Sequence, residues 1–129
     1  MNRLSQAWLQ AASDDLDVIE QILSQPHLTH LVAFHSQQAI EKAFKALMEE
    51  NGENVPKIHS LNKLFDLNKS EFVCDDTDLF HTLDELYIES RYPGDFGLMP
   101  NGKPSITEAK EFSKFAKTIY QQTKQKIGQ

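Results

Sequence analysis

The stretch that most constrains this chain is residues 31–50, LVAFHSQQAIEKAFKALMEE. It contains no Pro or Gly and is rich in residues that lose little on entering a helix. At a helical step of about 100° per residue, Val32, Ala33, Phe34, Ala39, Ile40, Ala43, Phe44, Ala46, Leu47 and Met48 cover most of the circumference. A helix apolar nearly all round belongs at the centre of a bundle, touched on several sides. One narrow polar stripe remains. His35, Gln38 and Lys42 lie at i, i+3 and i+7, with Glu49 continuing the line and Lys45 beside it. Buried polar groups are costly without partners, so the stripe faces either a wet groove or a polar network. Both make it the first place to look for function.

The flanking sequence reads as further helices. Leu4 to Ser24 keeps near-helical apolar spacing through Leu4, Trp8, Ala11, Ala12, Ile19, Ile22 and Leu23, and Pro26 breaks it. Asp15 lies close to that stripe and is read as its exposed edge, the alternative being a carboxylate aimed at a cationic side chain. Asn51 and Gly52 end the central helix. Ser60 caps a short helix with Leu61, Leu64, Phe65 and Leu67 inward, and residues 68–76 read as a connection. A fourth helix follows from Asp76 or Thr77, carrying Leu79, Phe80, Leu83, Leu86, Tyr87 and Ile88 to Arg91, and Pro93 stops it. Pro93 to Pro104 holds three of the five prolines and three of the five glycines and is read as an irregular loop; its Phe96, Leu98 and Met99 fold back or touch a partner. Ser105 and Glu108 form a capping box that opens the last helix, with Ile106, Ala109, Phe112, Ala116, Ile119 and Tyr120 inward and five lysines outward. The expectation is a single all-α domain over residues 1–129, an antiparallel four-helix bundle with an additional short helix.

Composition narrows the function. No apolar run approaches the roughly 20 residues of a membrane span, and the N-terminus lacks a secretory pattern, so the expectation is a cytoplasmic protein that does not engage a membrane. The net charge of −6 disfavours broad, non-specific nucleic-acid binding but allows a local basic groove. Cys74 is alone, so no internal disulfide forms and no CxxC metal knuckle exists. The five histidines include no HExxH or ExxH pair on a helix, and no nucleophile elbow or phosphate-cradling loop is present. No metal and no cofactor are expected. The end of the fourth helix is more informative. In YIESRYPGD, residues 87–95, Arg91 offers a planar fork for phosphate or carboxylate and Tyr92 a stacking face, just before an enforced reversal. The alternative is that Arg91 pairs with Asp95 or another acid and pins the loop.

FHSQQAIEKAFKALM, then HSLNKLF, then YIESRYPGD, in that order, resemble the HEPN domain family, above all its small stand-alone bacterial and archaeal members. The match runs from about Asp15 to Asp95. The resemblance implies a bundle that commonly dimerises and a minimal nucleotidyltransferase as protein partner, often in a toxin–antitoxin module. It also implies nucleotide or RNA binding, and many members are ribonucleases. Those carry an Arg, a polar residue, a spacer and a His. Here Arg91 fits, but Tyr92 follows it and no His occurs after His81, so the motif is incomplete and binding is favoured over catalysis. The expected ligand-binding residues are His35, Gln38, Lys42, Arg91, Tyr92 and Asp95. Two alternatives stand beside this: a metal-independent ribonuclease using His35 with Arg91, and a purely structural dimerisation module in which the stripe is a buried network.

Overall fold

The computed structural model describes residues 2–91 and 102–128, with backbone alone at residues 90 and 91. It is all-α: α1 spans Arg3–Ile22, α2 Thr29–Glu50, α3 Leu61–Asn68, α4 Asp78–Arg91 and α5 Ile106–Ile127. Short 3-10 turns at Pro26–Leu28 and Lys69–Glu71 join them. The four long helices form the expected antiparallel bundle, and α3 is the additional short helix.

Local chemistry sets most boundaries. Asn2 caps α1 by accepting from the Ser5 amide at 2.8 Å. Pro26 opens the turn after α1, and Ser60 caps α3 through the Lys63 amide. Past α2, Gly52 takes φ +72°, and the Gly52 and Glu53 amides donate to the Glu49 and Met48 carbonyls. This pair of bonds closes a Schellman-type end that only glycine enters without strain. The Ser105–Glu108 capping box of α5 is complete in both directions.

The central position of α2 is plain from its burial: between Thr29 and Glu50 no residue is fully exposed. It packs against α1, α3, α4 and α5. Phe44 is fully buried and meets Phe65, Phe72 and Phe80, and Phe80 also meets Phe65 and Phe115. This aromatic knot fastens α3, α4 and α5 to α2. At the C-terminal end of α2, Glu50 accepts from the Asn2 amide at 2.9 Å and from Ser5 Oγ at 2.7 Å, tying the start of α1 to the end of α2. These bonds draw the Glu50 carboxyl below its ordinary range.

Three expectations of inward packing are corrected. Leu4, Leu67 and Ile88 keep the spacing of their stripes but are more than half exposed, each at an edge that the described helices leave open. Phe72, in the connection after α3, is instead a core residue. Phe96, Leu98 and Met99 lie outside the described residues.

Candidate functional site

Asp15 is the largest departure from the sequence reading. It is buried, not an exposed edge, and its carboxylate reaches from α1 into the polar stripe of α2. One oxygen meets His35 Nδ1 at 2.8 Å and the other accepts from Lys42 Nζ at 2.8 Å. His35 and Lys42 lie seven residues apart, two helical turns, so one carboxylate between them satisfies both. The Asp15 side chain is 10% exposed while His35 and Lys42 are each 24% exposed. The acid is therefore the dry anchor, and its two partners present their remaining polar surface at the α1–α2 seam.

A second carboxylate repeats the arrangement on the other flank of α2. Glu41, 5% exposed along its side chain, accepts from Lys45 Nζ at 3.0 Å and meets His59 Nδ1 at 3.1 Å. Lys45 is itself almost dry, with its ammonium 5.5 Å from the centre of the Trp8 ring. His59 is half exposed and its ring lies 5.7 Å from that of Tyr87, which stacks on Phe34. Gln37 stitches the cluster together, donating to the His59 carbonyl at 2.8 Å and accepting from Gln38 Nε2 at 2.7 Å. Nearby, Asp84 on α4 caps α3, accepting from the Leu61 amide at 2.9 Å and more weakly from Asn62 and Ser60. Burial pushes its carboxyl upward against the opposing pull of those donors.

The stripe anticipated from spacing thus divides. His35 and Lys42 share Asp15, whereas Gln38 bonds to Gln37 and joins the Glu41 cluster. The backbone of Arg91 ends α4, one turn beyond Tyr87 and so beyond its stack on Phe34, the neighbour of His35. The Arg91 side chain, Tyr92 and Asp95 lie outside the described residues. Spacing did not single out Gln37, Glu41, Lys45 or His59 as one unit. The signals were present, in the i, i+4 pair of Glu41 and Lys45 and in the His59-Ser60-Leu61 segment. Among the described residues, no group of three His, Cys, Asp or Glu could hold a metal ion, and no helix is long and apolar enough to cross a membrane.

The chemistry these hubs offer is hydrogen bonding more than bulk charge. Within that cluster the unit charges of Asp15 and Lys42 offset one another. His35 keeps Nε2 for a ligand once Nδ1 is held, and Lys42 keeps two of its three protons.

An all-helical bundle with a polar seam along its central helix is the class of molecule defined by these features, and comparison with known proteins places it further. The family model for the HEPN domain matches residues 5–126, and the chain belongs to that family. The crystal structure of TT1696 from Thermus thermophilus is similar, at 27% identity and a TM-score of 0.77, over 98% of this chain and 99% of that one. ST0689, described as an archaeal HEPN homologue, is similar at 28% identity and a TM-score of 0.72, again over 98% and 99% of the two chains. No curated protein matched.

Proposed function

We propose that this HEPN protein is a nucleotide- or RNA-binding domain that works as a homodimer beside a minimal nucleotidyltransferase, in a toxin–antitoxin pair. The observation that carries the binding reading is the Asp15 hub, which fixes His35 and Lys42 in one geometry while leaving part of each accessible. A site ordered before its ligand arrives avoids much of the entropy of ordering side chains on binding. Because the Asp15 carboxylate offsets the Lys42 ammonium, Arg91 supplies further positive charge for a phosphate. Lys42 holds it too, His35 Nε2 accepts from a hydroxyl or N–H of the ligand, Tyr92 stacks on the base, and Asp95 orients the sugar or the arginine. Gln38 gives one amide proton to Gln37 and keeps its carbonyl oxygen and other proton for the ligand.

The test is calorimetric titration of the purified protein with ATP, other nucleotides and short RNA, run beside Arg91→Ala and His35→Ala, with the dimer followed by sedimentation. Binding by the wild type and its loss in a folded Arg91→Ala protein is the expected result. Unchanged affinity in that variant, or no binding by the wild type, removes the reading. Co-purification with the nucleotidyltransferase tests the partner separately.

One observation favours a catalytic reading as second choice. A histidine whose Nδ1 is held by a buried carboxylate has its tautomer fixed and its Nε2 free to move a proton. With Arg91 stabilising the charge on phosphorus, His35 would serve a metal-independent ribonuclease. RNA cleavage in the presence of a chelator, abolished by His35→Ala, is its signature. Intact RNA after incubation with partner-free protein would eliminate it.

A further inference from the structure

On the opposite side of α1 from the Asp15 hub, α1 and α5 leave an open groove of about 540 Å³ between them. Arg3, Gln6 and Gln10 line it from α1, Tyr120 and Lys124 from α5, and Leu9 forms its floor. No Asp or Glu lines it, in a chain whose net charge is −6. Arg3 and Lys124 make no ion pair with any described residue, whereas farther along the same α1–α5 seam Lys117 pairs with Glu20, and Lys126 on α5 pairs with Glu71. The start of α1 and the end of α5 meet here, so their opposed helix dipoles offset one another and the two side chains set the local charge.

We infer that this groove is a binding site for a small organic phosphate carrying a flat ring. Its size suits such a molecule, since ligand pockets commonly span about 300–1,000 Å³. Arg3 offers a fork that matches two phosphate oxygens, and Lys124 adds a point charge. Tyr120 is half-buried against the core, which holds its ring in place as a stacking surface. Gln10 donates its amide to Asp14 at 3.0 Å, and its carbonyl oxygen keeps the capacity to accept from a ligand. The Gln6 side chain has no described partner and is free to donate or accept. Nothing in this site is shared with His35, Lys42 or Arg91, so it stands whether or not the seam binds nucleotides.

Adenosine 5′-monophosphate is the probe, titrated calorimetrically into the full chain, with adenosine and inorganic phosphate as competitors. The variants are Arg3→Gln/Lys124→Gln, which alters two exposed side chains, and Arg91→Ala. The expected result is saturable binding that falls roughly tenfold or more in the double variant, as loss of charge-assisted bonds requires, with the thermal midpoint unchanged. A site remains in that variant only if the seam binds the probe too, and Arg91→Ala then removes that remaining one. Undiminished binding in the double variant overturns the inference whatever Arg91→Ala does, and so does a wild type that binds no probe. Inorganic phosphate competing as well as the nucleotide overturns the assignment of a ring-bearing ligand.

Discussion

Replacing Asp15 by Asn tests whether one carboxylate organises the α1–α2 seam. At 2.8 Å, and with an effective dielectric near 20, the attraction between Asp15 and Lys42 is about 6 kcal/mol before any cost is subtracted. Burying the carboxylate costs several kcal/mol, which removes most of that gain. What survives is the coupling between partners, which for residues in contact is about 0.5–3 kcal/mol. Asn keeps the shape and can accept one bond, but it turns an amide donor toward the second partner, so Asp15→Asn should destabilise the fold by about 1–2 kcal/mol. Lys42→Met should cost a similar amount, and the double variant distinctly less than the two together. The measurement is urea unfolding of all four proteins at low salt and at 1 M NaCl, where a loss of this size lowers the midpoint by roughly 1 M urea. Because Asp15 is only 10% exposed, the coupling should persist at high salt, unlike that of a surface pair. A coupling below about 0.3 kcal/mol, or one that vanishes at 1 M NaCl, refutes the hub as a buried organising element.

Three further perturbations probe the same architecture. Lys45→Met leaves Glu41 buried with only His59 and Gln37 for company and should cost about 3 kcal/mol, with partial recovery in Glu41→Leu/Lys45→Met, both read from urea midpoints. Phe80→Ala removes the ring that joins Phe44, Phe65 and Phe115 and should lower stability by about 3–5 kcal/mol in the same assay. Asp84 gives a pH signature opposite to that of most carboxylates. Its folded-state affinity for a proton is raised, so the native chain retains a proton that the unfolded chain has already released. Its contribution is therefore complete below the ordinary aspartate range and is lost as pH rises through the raised folded value. Midpoints measured against pH should show Asp84→Asn lacking that decline, and parallel profiles for the two proteins would contradict it.

The parts of this fold legible in the sequence are those set within a few residues of one another. The Ser60 cap, the Gly52 end and the Ser105–Glu108 box each depend on side chains and amides less than two turns apart, and the apolarity of α2 is a property of one continuous segment. Periodicity also finds the apolar face of each helix, but not where its covered part stops. Leu4 and Ile88 have correct spacing and lie exposed because the position of the next helix, which spacing does not encode, leaves those edges open. Phe72 is the converse case: it sits in a segment without helical period, yet the Phe44 ring meets it edge-on at 5.1 Å. Asp15 was ambiguous for the same reason. Whether a carboxylate beside an apolar stripe meets water or a lysine depends on the register of α1 against α2, a quantity fixed only when the two helices pack.

The two hubs explain why a central helix tolerates so many polar side chains. Each is one carboxylate holding one lysine and one histidine: Asp15 with Lys42 and His35, Glu41 with Lys45 and His59. They differ in where the water is. In the Glu41 hub the lysine is dry and the histidine is half exposed, so its cation is committed to the fold and to Trp8. In the Asp15 hub the acid is dry and both partners keep an outer surface. A ligand that approaches the first hub meets His59, its half-exposed member, because Glu41, Lys45 and Tyr87 are buried. One that approaches the second meets an ammonium and an imidazole already aligned, the ammonium's charge offset by the carboxylate it shares with the imidazole. A phosphate would therefore be captured by an additional cation and then recognised by the hub. That division of labour makes Arg91, at the end of α4, the side chain on which the binding reading turns.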